Sequence, residues 1–352
     1  MDHQALAKLL TGQLESEASW KQAIDALFVV HPDLIARAEE YLEEEDIIRL
    51  LSTLVIYVGQ IGFRTPARKA RLFDLAQSMG VHILPVHYSS PVPDTRALPD
   101  RLWAGPRELG GAIDLNLPGQ LEFLRRVSGW SGELADVPFE AEGRPGFFWN
   151  NTQLYRTDAA LYYSTIRAFQ PATVIEIGGG YSTMIAARAA AANGSTELVC
   201  VEPEPNDELR RGFPGLSRLI ELPVQEAGAA LFSTLGPGDV LFVDGSHVAK
   251  TGSDVSFLFL EVLPKLPGGT LVHVHDVFTP WEYPEHWIKA QQQFWTEQYL
   301  LEAFLLFNRE FEILCLTHYL GETQPEAVRD SLALPADVPA GGCSAWLRRR
   351  AV

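Results

Sequence analysis

Val174-Ile175-Glu176-Ile177-Gly178-Gly179-Gly180-Tyr181-Ser182-Thr183 is the stretch that decides how the 352-residue chain is read. Thr173 to Ile177 is an apolar, β-branched run, the pattern of a parallel strand covered on both faces. Three glycines follow at once. They let the backbone approach a ligand closely, and Ser182 to Ala192 then reads as a helix, with Ser182 as its N-cap and Asn193-Gly194 as its stop. A helix that opens directly after such a turn points its free N–H groups at an anionic or hydroxyl-rich ligand. That ligand is expected across the carboxyl ends of the sheet.

Working outward, strand and helix patterns alternate regularly. Leu198–Glu202, Ser217–Leu222, Asp239–Asp244, Thr270–Asp276, Phe311–Thr317 and Ser344–Arg348 read as six further strands. The predicted fold class is α/β: a doubly wound, mostly parallel, seven-stranded Rossmann-like sheet whose last strand returns antiparallel. Glu202 closes the second strand, where a carboxylate can accept hydrogen bonds from both hydroxyls of a ribose. Gln225 follows the third strand, within reach of an adenine edge. Asp244 closes the fourth and leads into Gly245-Ser246-His247; His275-Asp276 closes the fifth.

Upstream, residues 1–80 carry helical spacing and read as a helical module for packing, covering a pocket or homo-oligomerisation, with Pro66 opening its last helix. Residues 81–146, rich in Pro, Gly and aromatic residues, read as an irregular wrapping or lid segment. The sheet domain occupies 147–352. Acidic residues number 45 against 28 Lys plus Arg, a formal charge of −17, and such a surface repels phosphate backbones, so no nucleic-acid partner is expected. The longest apolar region, Leu50 to Phe63, is interrupted by Ser52, Thr53, Gly59 and Gln60 and is too short to span a bilayer. With no signal peptide in view, the reading is a cytoplasmic protein without a membrane partner. Cys200, Cys315 and Cys343 lie far apart and read as small buried apolar residues.

The glycine turn lacks a glycine at Thr183, which the G-x-G-x-x-G dinucleotide fingerprint requires, and this disfavours a nicotinamide (NAD) oxidoreductase. The set Glu176-x-Gly178-x-Gly180, Glu202 and Asp244 resembles class I S-adenosylmethionine-dependent methyltransferases. The chain is more closely similar to a bacterial subgroup of that superfamily through Tyr88-Ser89-Ser90-Pro91-Val92-Pro93-Asp94, Asp244-Gly245-Ser246-His247, Gly252-Ser253-Asp254, Val272 to Phe278 and Trp281-Glu282-Tyr283-Pro284. The resemblance implies that Glu176, Gly178 and Gly180, with Gly179 and Ser182 in the same turn, hold the methionine part of the cofactor. It implies Glu202 on the ribose and Gln225 on the adenine. Ser182 departs from the pattern, standing where a third glycine often occurs. The implied reaction is methyl transfer to a hydroxyl of a small molecule, a sugar or secondary metabolite.

The sulfonium methyl is already activated, so such an enzyme must align an acceptor and remove a proton. His247 or His275, beside Asp244, is the expected base, titrating near neutrality. Asp244, His275 and Asp276 also resemble the strand-end set of metal-dependent O-methyltransferases, which implies a divalent metal, Mg or Mn, that acidifies the hydroxyl. Imidazole favours manganese, iron or zinc over magnesium. Asp244 and Asp276 as helix caps are the alternative. His273, facing opposite to His275, is expected beneath helices, and Trp281 and Tyr283 over the substrate. A non-catalytic protein that keeps the cofactor pocket as a sensor or scaffold is the competing function.

Overall fold

The computed structural model describes residues 65–351 apart from Met79, Gly110, Glu142, Arg144 and Pro145. The helices expected before Thr65 lie outside these residues. Two compact units are found, Met1–Pro93 and Asp94–Val352. In the first, helix α1 (Pro66–Ser78) begins at Pro66, as a proline at the first helical position favours. In the second, seven strands form one sheet: β1 (Thr173–Ile177), β2 (Glu197–Val201), β3 (Arg218–Ile220), β4 (Val240–Val243), β5 (Leu271–Val274), β6 (Phe311–Leu316) and β7 (Ala345–Arg349). Their order is β3-β2-β1-β4-β5-β7-β6. The sheet is mixed, because β7 runs antiparallel to both β5 and β6.

The central strands are mostly apolar, yet their residues divide between two cores. Val174, Leu198, Val240, Phe242 and Leu271 pack on one face; Ile175, Val199, Leu241, Val243 and Val272 pack on the other. The period of two along a strand and the cover on both faces together explain the continuous runs. The first face carries α2 (Leu117–Val127), α3 (Arg156–Phe169) and α4 (Tyr181–Asn193). The second carries α5 (Glu297–Leu305), which buries Leu301 and Leu305.

The 81–146 segment, read as an irregular wrapping or lid, contains α2: residues 94–146 fall within the sheet unit, and α2 buries Gln120, Phe123, Leu124 and Val127 at helical spacing. Gln120 accepts the Leu316 N–H and donates to the Leu115 carbonyl, while Asn116 donates to the Ile313 carbonyl, so α2 is bound to β6. The Leu117-Pro118-Gly119 opening hides this helix from a propensity reading. One expectation is corrected: Ser182 is not an N-cap. Gly180 holds that position, and Thr183 Oγ1 accepts the Gly180 N–H at 3.0 Å. Ser182 sits within the first turn, its hydroxyl turned back on Glu176.

The strand order reverses at β1, whose neighbours are β2 and β4. The glycine turn leaves the sheet there, the position where open α/β sheets bind ligands. Gly178 has φ +83°, and a Cβ on it would lie 1.8 Å from the Asp244 carbonyl oxygen. A Cβ on Gly179 would meet Cys200 Sγ at 2.5 Å, whereas one on Gly180 finds nothing closer than 3.9 Å. Gly178→Ala is therefore expected to destabilise the protein by about 3 kcal/mol or more and Gly180→Ala by about 1 kcal/mol or less. Urea denaturation of the two variants measures this, and equal losses would contradict it.

Candidate active site

At the carboxyl ends of β1, β2 and β4 lies a cavity of about 390 Å³ whose lining includes Gly178, Glu202, Gln225, Asp244, Lys250 and Asp254. Four residues singled out in the sequence, Gly178, Glu202, Gln225 and Asp244, therefore share one wall system. Glu202 accepts the Gly179 N–H on Oε2 at 3.0 Å and the Glu204 N–H on Oε1 at 2.8 Å. A carboxylate offers about four lone-pair positions, so its two oxygens retain capacity for a diol. Gln225 donates through Nε2 to the Gly252 carbonyl at 2.7 Å.

Glu176 lies behind the turn and not in this cavity. It is fully buried, and its Oε1 accepts the Ser182 hydroxyl at 2.5 Å and the Thr183 hydroxyl at 3.2 Å. The pair ties the first turn of α4 to the end of β1. Burial raises the Glu176 carboxyl to about 8, against the lowering effect of Ser182.

Beside the cavity, two carboxylates and two imidazoles converge. His247 Nε2 stands 3.2 Å from Asp244 Oδ1 and 3.4 Å from Asp276 Oδ2, and its Nδ1 stands 2.9 Å from Glu297 Oε2. His275 Nδ1 stands 3.7 Å from Asp244 Oδ1 and 3.3 Å from Asp276 Oδ1. The backbone prepares this. His247 and Asp276 have φ of 57° and 56°, and the His247 carbonyl accepts the N–H groups of Thr296 and Glu297 at 2.9 and 3.0 Å. The first free amides of α5 thus pin the loop after β4, as the ends of helices commonly do.

Burial disfavours charge on every member, but the pairing outweighs it on both imidazoles. His247 is raised to about 10 by Asp244 and Glu297, and His275 to about 10 by Asp244 and Asp276. Burial pushes Asp244 up, and His275 with His247 overcomes it, holding the carboxyl well below its usual range. The sequence reading expects a histidine titrating near neutrality; the carboxylates around these two rings raise both of them. Asp244 and Asp276 face these rings and do not cap helices; Ser253 caps the helix after β4. His273 is buried, stacked on Phe242 at 3.9 Å and bonded through Nε2 to Ser344.

Donor atoms of Asp244, His247 and Asp276 lie within 4.8 Å of one another, as do those of Asp158, His275 and Cys343. Of the metal set expected from the sequence, Asp244 and Asp276 stand with His247, and His275 Nδ1 lies 3.7 and 3.3 Å from the same two carboxylates. Tyr283 is buried and accepts the Gln298 N–H, so it packs instead of covering a ligand. Trp295 takes that place against His247, ring centroids 4.3 Å apart. Neither Trp295 nor Glu297 was found by sequence reasoning. They lie about fifty residues from His247 with no motif around them.

Residues 175–277 match the family model of a methyltransferase domain. An uncharacterised protein of Archaeoglobus fulgidus is 32% identical over 163 residues, which span 43% of this chain and 72% of that protein. The chain belongs to one family with that archaeal protein. Among solved structures, the O-methyltransferase TomG from Streptomyces achromogenes, involved in tomaymycin synthesis and determined with SAM, is 14% identical, covering 68% of this chain and 92% of TomG at a TM-score of 0.33. Cofactor-bound Rv0187 from MTB is 15% identical, covering 70% of this chain and 99% of Rv0187 at a TM-score of 0.38. Within the family segment lie the glycine turn, Glu202, Asp244, His247 and His275-Asp276.

The folded protein keeps the Glu176 proton up to about pH 8, whereas an unfolded chain releases it near 4.5. Stability contributed by this group is full below 4.5 and is lost as pH rises toward 8, by at most about 1.4 kcal/mol per unit. Glu176→Gln keeps the acceptor for Ser182 and removes the loss. Urea unfolding should show the variant gaining on the wild type from pH 5 to pH 8, and a difference independent of pH would contradict the assignment.

Proposed function

We propose that this protein transfers the methyl group of S-adenosylmethionine to a hydroxyl of a small-molecule acceptor, a sugar or a secondary metabolite. The observation that carries the reading is the double position of Asp244, which lines the cavity holding Gly178, Glu202 and Gln225 and also contacts both imidazoles. In this reading the nucleoside occupies the cavity, with Glu202 on the ribose hydroxyls and Gln225 at the adenine edge. Glu176 acts as a positioning residue: it fixes the first turn of α4, and Gly178 and Gly179 give the methionine part room against the backbone. The sulfonium then faces Asp244 and the ring of His247, where an acceptor is held against Trp295.

Asp244, His247 and Asp276 fit a divalent cation. Glu297 fixes Nδ1 of His247 and leaves Nε2 toward two carboxylates, the arrangement in which an outer carboxylate orients a ligating imidazole. A cation bound there would lower the pKa of the acceptor hydroxyl. The residues themselves orient the acceptor against Asp244 and His247 and exclude water through Trp295.

Calorimetry and transfer of labelled methyl from S-adenosylmethionine to a panel of hydroxyl acceptors test the reading. Glu202→Ala should weaken cofactor binding about tenfold or more. His247→Ala should leave cofactor affinity within a few-fold and lower turnover by about 100-fold or more. Absence of binding at millimolar ligand would end the proposal; binding with no turnover on any acceptor, unchanged in His247→Ala, would point to the sensor or scaffold.

A further inference from the structure

The second imidazole of the cluster faces two ways. His275 is almost fully buried, at 2% exposure, and its Nδ1 faces the carboxylates of Asp276 at 3.3 Å and Asp244 at 3.7 Å. Among the described residues its Nε2 reaches only the Cys343 thiol, at 3.8 Å. A buried ring nitrogen with so weak a partner calls for a physical explanation. Around Nε2 the fold supplies two more donors from distant parts of the chain. Cys343 Sγ lies 3.6 Å from Asp158 Oδ2, and the oxygen, nitrogen and sulfur all fall within 4.8 Å of one another. Zinc bound tetrahedrally, with sulfur at about 2.3 Å and nitrogen or oxygen at about 2.0 Å, places its donors roughly 3.3 to 3.6 Å apart.

We propose that Asp158, His275 and Cys343 form a three-donor zinc site, distinct from the Asp244, His247 and Asp276 set. Thiolate with imidazole selects zinc, where magnesium prefers oxygen donors alone. The surroundings are those of ligating groups. Asp158 Oδ1 accepts the Thr317 hydroxyl at 3.0 Å, and Oδ2 accepts the Cys343 N–H at 2.9 Å, so the carboxylate is oriented from both sides. Asp276 Oδ1 lies 3.3 Å from His275 Nδ1, where it takes that proton and leaves the Nε2 lone pair to the ion. The same oxygen lies 3.2 Å from the thiol. On binding, the thiol proton and the Nε2 proton of His275 pass to solvent. Zinc then joins the first turn of α3, the end of β5 and the residues entering β7. The ligands, at 158, 275 and 343, have none of the short spacing by which zinc sites are read from sequence.

The inference does not depend on methyl transfer, and its test reads a signal that transfer does not produce. The full chain, stripped with a chelator, is titrated with cobalt(II), whose bond to a thiolate gives an intense charge-transfer band in the near ultraviolet. Asp244, His247 and Asp276 carry no sulfur, so cobalt among them is silent in this band. The band is expected to saturate at one equivalent, to be displaced by zinc, to persist in His247→Ala and to vanish in Cys343→Ser and Asp158→Asn. Absence of the band from the wild-type protein, or its survival in Cys343→Ser, overturns the proposal. The wild-type titration decides even where a variant fails to fold.

Discussion

The backbone of Gly178 passes so close under the carbonyl of Asp244 that no side chain fits between them. This one approach sets the geometry of everything at the carboxyl edge of the sheet. The Asp244 N–H donates to the Ile177 carbonyl at 2.9 Å and the Gly178 N–H to the Val201 carbonyl at 3.0 Å, so the turn is bonded into the strands on both sides. Its left-handed conformation at Gly178, open to glycine at little cost, then swings the chain into α4. The cavity wall and the cluster of acids and imidazoles are thereby built on adjacent strands and share a residue.

Electrostatics supplies the second layer. Asp244, Asp276 and Glu297 surround His247 at 3.4 Å or less. Buried carboxylates of this density need cations. The two imidazoles serve, and both are raised for that reason. Glu297 fixes which nitrogen of His247 faces the site, by its place at the start of α5.

The sheet was legible because its strands are short apolar runs ended by turn residues, a pattern set by cover on both faces. The second strand shows how far that extends: its alternate residues Leu198 and Val199 go to opposite cores, though nothing in the run distinguishes them. The shared place of Glu202 and Asp244 on one cavity wall was legible because each follows an apolar strand at the same edge of the sheet. Ser182 was misread because a hydroxyl before a helical run has two possible partners, the helix amide or a side chain, and the sequence does not show that Glu176 is near. Glu297, Trp295, Asp158 and Cys343 were illegible as site residues for a different reason. Each reaches the site by tertiary packing from more than forty residues away, and local spacing carries no trace of it.

The central claim is that an adenosyl sulfonium lies in the cavity beside the glycine turn. A crystal structure of the full chain grown with S-adenosylhomocysteine tests it most directly. The expected density places the ribose diol within hydrogen-bond distance of Glu202, the adenine beside Gln225 and the sulfur toward Asp244. Nucleoside density elsewhere on the protein, with this cavity filled by water, would contradict the account.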